Sequence, residues 1–176
     1  MPRHPYSKYH FICCVLCALL LPSQALAQDP AGSVKNVTGE AQVIRAGAAP
    51  TPLKPGDRVF EKDVLTTGKG ASLGLVLRDN STLALGPGSR LVVERFLFEP
   101  EKGGLAQVLR LSRGSMAAVS GEIVKLNPEV AKVETPLYSI GIRGTHFLLN
   151  MEPGHETAEE KAQAVADAPT PKEGAK

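Results

Sequence analysis

The sequence predicts an all-β domain, and two observations carry that prediction. Apolar residues alternate with polar or small ones, as in Ser72–Arg78, where Leu73, Leu75 and Leu77 take every second position. This spacing places them on one face of a strand. Gly, Pro, Asn or Asp separates most neighbouring runs, which recur at roughly ten-residue spacing, as in a sandwich, barrel or coil of short strands. Within residues 31–152 no stretch shows the period of a helix.

Taken in order, the alternating runs predict eleven short strands. Asp79-Asn80-Ser81 is a turn between two of them, because Asp and Asn bond their own backbone. Gly114 is predicted to turn the chain back between two others. The chain has no Trp, so the core must consist of Leu, Val, Ile and Ala. The predicted strands are Ser33–Thr38, Ala41–Arg45, Asp63–Thr67, Ser72–Arg78, Thr82–Leu85, Arg90–Phe96, Leu105–Leu111, Ser115–Val119, Lys132–Glu134, Tyr138–Ile142 and Thr145–Met151.

Residues 1–27 have the pattern of a secretory signal peptide. Arg3 and Lys8 supply positive charge, Phe11–Leu21 is apolar, and Ala25-Leu26-Ala27 offers a cleavage site. The apolar run is shorter than the about 20 residues of a spanning helix, so we expect no retained membrane span. Cleavage would remove all three Cys residues. We therefore expect a periplasmic or secreted protein without disulfides.

The far end of the chain and the charge balance exclude other classes. Residues 153–176 lack large apolar side chains and predict a disordered low-complexity tail, which leaves residues 31–152 as the folded domain. Losing Arg3 and Lys8 lowers Lys plus Arg from 20 to 18, equal to the 18 Asp plus Glu. A near-neutral chain with interspersed charges is not typical of a nucleic-acid-binding protein.

No set of residues predicts catalysis, a metal or a cofactor. Beyond the predicted leader the chain has two His residues, His146 and His155, and no Cys. A zinc site would need further ligands at supporting spacing, and we interpret His146 as a strand residue rather than a base. Asp79-Asn80-Ser81 lacks the spacing of a calcium loop. We therefore expect a non-enzymatic protein.

Six short blocks follow in order over about residues 56–149: Gly56–Val59, Asp63–Leu73, Leu77–Ser89, Leu111–Ser115, Val133–Pro136 and Ile142–Phe147. This ordered set resembles the FecR domain. The resemblance implies a periplasmic all-β module of a short β-helix or β-roll type. Full-length regulators of that family relay a signal from an outer-membrane iron-siderophore receptor to a sigma factor.

The expected role is that of a stand-alone module, because those regulators also carry a cytoplasmic segment and a further C-terminal domain. The predicted leader and tail occupy those places, so iron-siderophore regulation is the less favoured reading. We expect the module to bind a protein partner or an envelope component in a signalling or scaffolding role. The alternative is a module that binds cell-wall polysaccharide. Such binding uses exposed aromatic side chains, and the candidates are Phe96, Phe98, Tyr138 and Phe147.

Arg143 is the sharpest candidate site residue. It lies between Gly141 and Gly144, with Thr145 following. An Arg in a glycine-flanked turn can bind a carboxylate or phosphate with two hydrogen bonds. The competing interpretation, which we favour, is an internal ion pair that fixes the last strands to the first. The internal partners considered are Asp57, Asp63 and Asp79.

Overall fold

The structure, a computed structural model, describes residues 28–144 and 146–151. The predicted leader, the predicted tail and Thr145 lie outside the described residues. Within them the all-β prediction is confirmed: twelve strands are connected by hydrogen-bonded pairing. The described part contains one α-helix of five residues.

The elements follow in chain order. Helix α1 spans Glu122–Leu126, and two 3₁₀ turns span Pro100–Lys102 and Pro128–Val130. The strands are β1 (Gly32–Thr38), β2 (Ala41–Ile44), β3 (Thr51–Pro52), β4 (Arg58–Val59), β5 (Val64–Thr67), β6 (Ser72–Leu77), β7 (Thr82–Leu85), β8 (Arg90–Glu99), β9 (Gly104–Val119), β10 (Ala131–Glu134), β11 (Ser139–Gly141) and β12 (His146–Met151).

The long strand β9 belongs to both halves of the fold. Its first half lies between β8 and β10 and continues the order β3-β2-β5-β8-β9-β10-β11. Its second half lies between β7 and β12 in the order β4-β1-β6-β7-β9-β12. All pairs are antiparallel except β9 with β10. The sheet therefore curls on itself as an antiparallel roll. Of the two forms that the family resemblance implies, a β-helix and a β-roll, this matches the β-roll.

The core lies between the two halves of the curled sheet and is made largely of leucine. The inward positions of β6 and β7 are nearly inaccessible, as the alternation predicts. Leu109, Leu111 and Met116 of β9 join the same core. Helix α1 adds Ile123 and Val124. Because β9 contributes to the core along its length, it holds the two halves together.

The prediction of a turn at Gly114 is wrong, because β9 runs through this position without reversing. Gly114 has a φ of 81° and sits where the pairing passes from β8 to β7 and β12. The register of β8 against β9 shifts beside it, between Arg90 and Leu91. A glycine with positive φ at a bulge bends a strand without ending it. The local signal of turn and bulge is the same, and only the pairing distinguishes them.

Candidate binding surface

Several polar residues of the family-like blocks are buried and hold the fold together. Ser89 is fully buried, and its hydroxyl contacts both the carbonyl and the N–H of Ser115, each at 3.0 Å. The Thr67 hydroxyl donates to Gly86 O at 2.6 Å and accepts from the Ser89 N–H at 2.9 Å. A Cβ at Gly114 would lie 2.5 Å from the Ser89 Cα. This cluster fixes the bend of β9 and is closed to a partner.

Asp63 forms a second buried cluster, with Arg45 as its partner. The Arg45 guanidinium binds both carboxylate oxygens, each at 2.8 Å, and lies 4.5 Å from the centre of the Phe60 ring. The Phe60 N–H also donates to Asp63, at 2.8 Å. The hydrogen bond to Asp63 raises the pKa of Arg45 above its usual value. Since Asp63 is fully buried, its bond to Arg45 joins the end of β2 to the turn before β5.

The Asp79-Asn80-Ser81 segment is a turn, as predicted, and it also anchors the start of α1. The buried Asp79 carboxylate accepts from the Ser81 N–H at 3.1 Å and from its hydroxyl at 2.7 Å. The Ser81 oxygen in turn accepts from the Gly121 N–H at 2.9 Å. The Glu122 N–H donates to Asp79 O at 2.7 Å. The carboxylate therefore serves the fold.

In contrast, the hairpin β10–β11 exposes apolar side chains at its tip. Leu137 is 54% and Tyr138 67% exposed, and Ile140 follows at 39%. Two hydrogen bonds close the turn: the Thr135 N–H donates to Tyr138 O at 2.7 Å, and the Thr135 hydroxyl accepts from the Tyr138 N–H at 3.0 Å. Three of the seven large exposed apolar side chains in the described part thus lie within four consecutive residues.

Arg143 lies beside this hairpin on a segment anchored at both ends. Ile142 is buried, and its N–H donates to Ala131 O at 3.0 Å. The Ser120 hydroxyl donates to Gly144 O at 2.8 Å. Between these anchors the Arg143 side chain is 77% exposed. The backbone is fixed while the guanidinium points into solvent, where it can reach a ligand.

The predicted internal pairing of Arg143 is wrong in its partner. Arg143 contacts Glu129 at 3.0 Å, and Glu129 is 76% exposed. None of Asp57, Asp63 and Asp79 is its partner; the last two serve the buried clusters described above, and Asp57 binds the Lys54 N–H. An exposed pair of this kind contributes about 0–1 kcal/mol. Sequence reasoning missed Glu129 because only the folding of the segment after α1 brings it beside Arg143.

The neighbouring glycines differ in what the backbone requires of them. Gly144 has a φ of 119°, which L side chains rarely adopt. Gly141 lies outside the left-handed region, and a Cβ there would meet no heavy atom within 4 Å. Gly141 therefore needs to be glycine neither for a positive φ nor to make room for a neighbouring atom of its own chain. An open glycine on a strand can mark the close approach of another backbone.

We call Leu137, Tyr138, Ile140, Gly141 and Arg143 the hairpin surface. Beside it is a polar cleft of about 270 Å³ that includes Glu129, Lys132 and Arg143. Strand β11 pairs with β10 and has no second neighbour within the described residues. The surface thus combines an open strand edge, an aromatic side chain and charges of both signs.

The other sequence candidates give little further chemistry. Of the four aromatic residues considered for a glycan platform, Phe96 is buried, Phe98 and Phe147 are half-buried, and Tyr138 is exposed. His146 is an exposed strand residue. Across residues 28–144 and 146–151, no three His, Cys, Asp or Glu side chains gather as metal ligands would. The same residues contain no helix long and apolar enough to cross a membrane.

Comparison with known proteins identifies the family. No curated protein and no solved structure matches the chain. The family model described as FecR protein matches residues 63–164, more than half of the 176 residues. The match begins at the buried Asp63, includes β5 through β12, and ends beyond the described residues. The chain therefore belongs to the FecR protein family.

Proposed function

We propose that this chain is an exported, non-enzymatic binding module that docks a protein partner of the cell envelope on the hairpin surface, in a signalling or scaffolding role. One observation carries the proposal. The hydrogen-bonded polar residues Asp63, Asp79 and Ser89 of the blocks are fully buried in the fold, whereas Leu137, Tyr138 and Arg143 are exposed beside a hydrogen-bonded turn.

The chemistry of this surface suits a protein partner. Tyr and Arg are enriched among the residues that dominate binding energy, and they act best beside apolar neighbours that exclude water. The exposed edge of β11 offers backbone groups to an added strand, and the open space at Gly141 lets a second backbone approach. A partner segment that is extended and carries a carboxylate for Arg143 fits these features.

Site-specific photo-crosslinking in the intact envelope tests this proposal. A crosslinker at Tyr138 should capture one defined protein, and a crosslinker at Leu97, an exposed residue of β8, is the matched control. Adding Arg143→Ala should reduce capture at position 138 by about tenfold. Equal capture at positions 138 and 97, or capture unaffected by Arg143→Ala, would contradict docking at this surface.

Binding of cell-wall polysaccharide is the second candidate, favoured by the polar cleft at Lys132 and Arg143 and by the exposed Tyr138 of the same hairpin, which does not line the cleft. A sugar ring could stack on the phenol while Lys132 or Arg143 binds a carboxylate. Sedimentation with purified peptidoglycan separates the two functions. Co-sedimentation of the natural protein that is lost with Tyr138→Ala supports the glycan, and absence of co-sedimentation together with a protein crosslink supports the partner.

Export is the remaining part of the proposal, and it rests on the pattern of residues 1–27. Cleavage after Ala27 would leave Gln28 as the first residue. Mass spectrometry of the protein recovered from a periplasmic fraction should find a mature N-terminus at Gln28. Recovery of the uncleaved chain from the cytoplasm would contradict export.

A further inference from the structure

Strand β12 is an edge that lacks the usual protection. Its six residues, His146–Met151, include no charged residue and no proline. Within the described residues it pairs with β9 on one side and has no neighbour on the other. Long uncharged edges invite pairing with another chain, and proteins normally block them with charge, proline or short length.

The other three edges are shorter than β12, and two of them also carry a proline or a charge. Strand β3 is two residues long and contains Pro52. Strand β4 is also two residues long and carries Arg58. Strand β11 has three residues. β12 is thus the longest edge of the described sheet and the least protected one.

The burial of β12 shows where its surface remains incomplete. Leu148 is 73% exposed, the most exposed of the large apolar side chains in the described part. Phe147, Leu149 and Met151 point toward the core and are only partly buried, because the sheet ends beside them. A hollow of about 410 Å³ adjoins Leu148, with Ala84 and Ala117 in its lining. Both faces of β12 therefore leave apolar surface that a further strand would cover.

We propose that β12 pairs antiparallel with β12 of a second copy of this chain, across a two-fold axis at Leu148. The pattern of apolar and polar side chains is the same in both directions along the strand from Leu148. Phe147 and Leu149 flank it, and His146 and Asn150 lie one position further out. This symmetry selects the second copy as the occupant, because an isologous contact requires a self-complementary surface.

In this register each apolar side chain lies opposite an apolar one, and each polar side chain lies opposite a polar one. Phe147 lies opposite Leu149 of the second copy on the core side, which extends each core across the junction. His146 lies opposite Asn150 of the second copy on the outer side, and the two Leu148 side chains meet on the axis beside the hollow. Directly opposite residues in an antiparallel pair have Cβ atoms about 4.5–5.5 Å apart. No like charges face each other anywhere along the six residues.

The proposed contact is separate from the hairpin surface. Strand β12 lies in the half of the sheet that contains β7, whereas β11 lies in the half that contains β8. A pair of six-residue strands is smaller than a standard interface, which buries about 800 Å² per partner. We therefore expect a dimer that dissociates in the micromolar range.

Sedimentation velocity of the full chain over a dilution series tests the dimer. The natural sequence should show twice the chain mass at about 100 µM and dissociate on dilution to about 1 µM. Leu148→Arg places two positive charges on the axis and should weaken dimerisation at least about 30-fold. Leu97→Arg, which places the same charge on β8, is the matched control and should leave the dimer unchanged.

A second variant tests the register and guards against misfolding. Asn150→Glu with His146→Lys in one chain creates two Glu–Lys pairs across the axis and should retain the dimer, with a stronger dependence on salt. Far-UV circular dichroism checks that each variant is folded. A natural chain that is monomeric at 100 µM, or a dimer that Leu148→Arg does not weaken, overturns the proposal.

Discussion

The roll formed by β1–β9 and the C-terminal segment of β10–β12 differ in where their side chains lie. In the roll several polar residues of the family-like blocks face inward, and Asp63, Asp79 and Ser89 are fully buried. In the segment from residue 137 to 148 the large side chains Leu137, Tyr138, Arg143 and Leu148 face solvent. The difference teaches that a family-like block does not have one setting: some of its polar residues are buried and serve the fold, whereas Arg143 is left exposed.

The largest expected effect is at the bend of β9. Gly114→Ala combines a positive φ with a Cβ 2.5 Å from the Ser89 Cα, so we expect a loss of about 3–5 kcal/mol in the free energy of unfolding. Urea unfolding measures it. Gly103→Ala has a similar φ of 70° but open space around the Cβ, and should lose only about 1–2 kcal/mol. Equal losses would show that the contact with Ser89 contributes nothing.

Removing the partner of Asp63 should cause the second largest loss in the free energy of unfolding. Arg45→Ala leaves a fully buried carboxylate without its counter-charge. Breaking a fully buried pair costs about 3–5 kcal/mol, and we expect about 2–3 kcal/mol here because the Arg45 side chain is 47% exposed. Lys102→Ala, which removes a surface pair with Glu99, is the control and should cost at most about 0.5 kcal/mol. A loss as small as the control's would mean that water replaces the guanidinium at Asp63.

Arg143→Ala tests the exposed C-terminal segment of the comparison. Because its partner Glu129 is exposed, the free energy of unfolding should change by at most about 0.5 kcal/mol, while crosslinking at position 138 falls. Thermal unfolding and the crosslinking yield are measured on the same preparation. A clear loss of stability would show that Arg143 stabilises the fold, which would contradict its assignment to partner binding.

The smallest effect on stability is expected at Gly141. Gly141→Val places a side chain in open space on the edge of β11, and a β-branched residue suits a strand. Stability should stay within about 0.5 kcal/mol or rise, and partner capture should fall because the added side chain fills the open space over the sheet face at Gly141 that the partner would occupy. Gly144→Val is the contrast, since a φ of 119° makes that change costly to the fold. Undiminished capture with Gly141→Val would place the partner elsewhere.

Several features of the fold could be read from local pattern. The alternation of Leu73, Leu75 and Leu77 predicted their common burial, and the strand Thr82–Leu85 has the predicted bounds. The short strands β3 and β4 were not predicted, because two residues carry no measurable period. Helix α1 was missed for a similar reason, since five residues do not show the 3.6-residue period.

The candidate site could be predicted only in part. The sequence singled out Arg143, Gly141 and Gly144, and the structure gives each a different setting: an exposed cation, a glycine with open space around it and a glycine with positive φ. It did not single out Leu137 or Ile140, because an apolar residue in a strand is normally a core residue. The signal that was present is Thr135-Pro136, a turn that places the following residues at a hairpin tip.

The sequence by itself determined the all-β class, the order of the family-like blocks and the leucine core, because a period of two and the turn residues are local properties. Tertiary structure decided that β9 continues through Gly114, that Asp63 binds Arg45 and that Arg143 binds Glu129. These outcomes depend on which distant strands pair. The bend, the buried ion pair and the exposed hairpin therefore follow from how the sheet curls and where it ends.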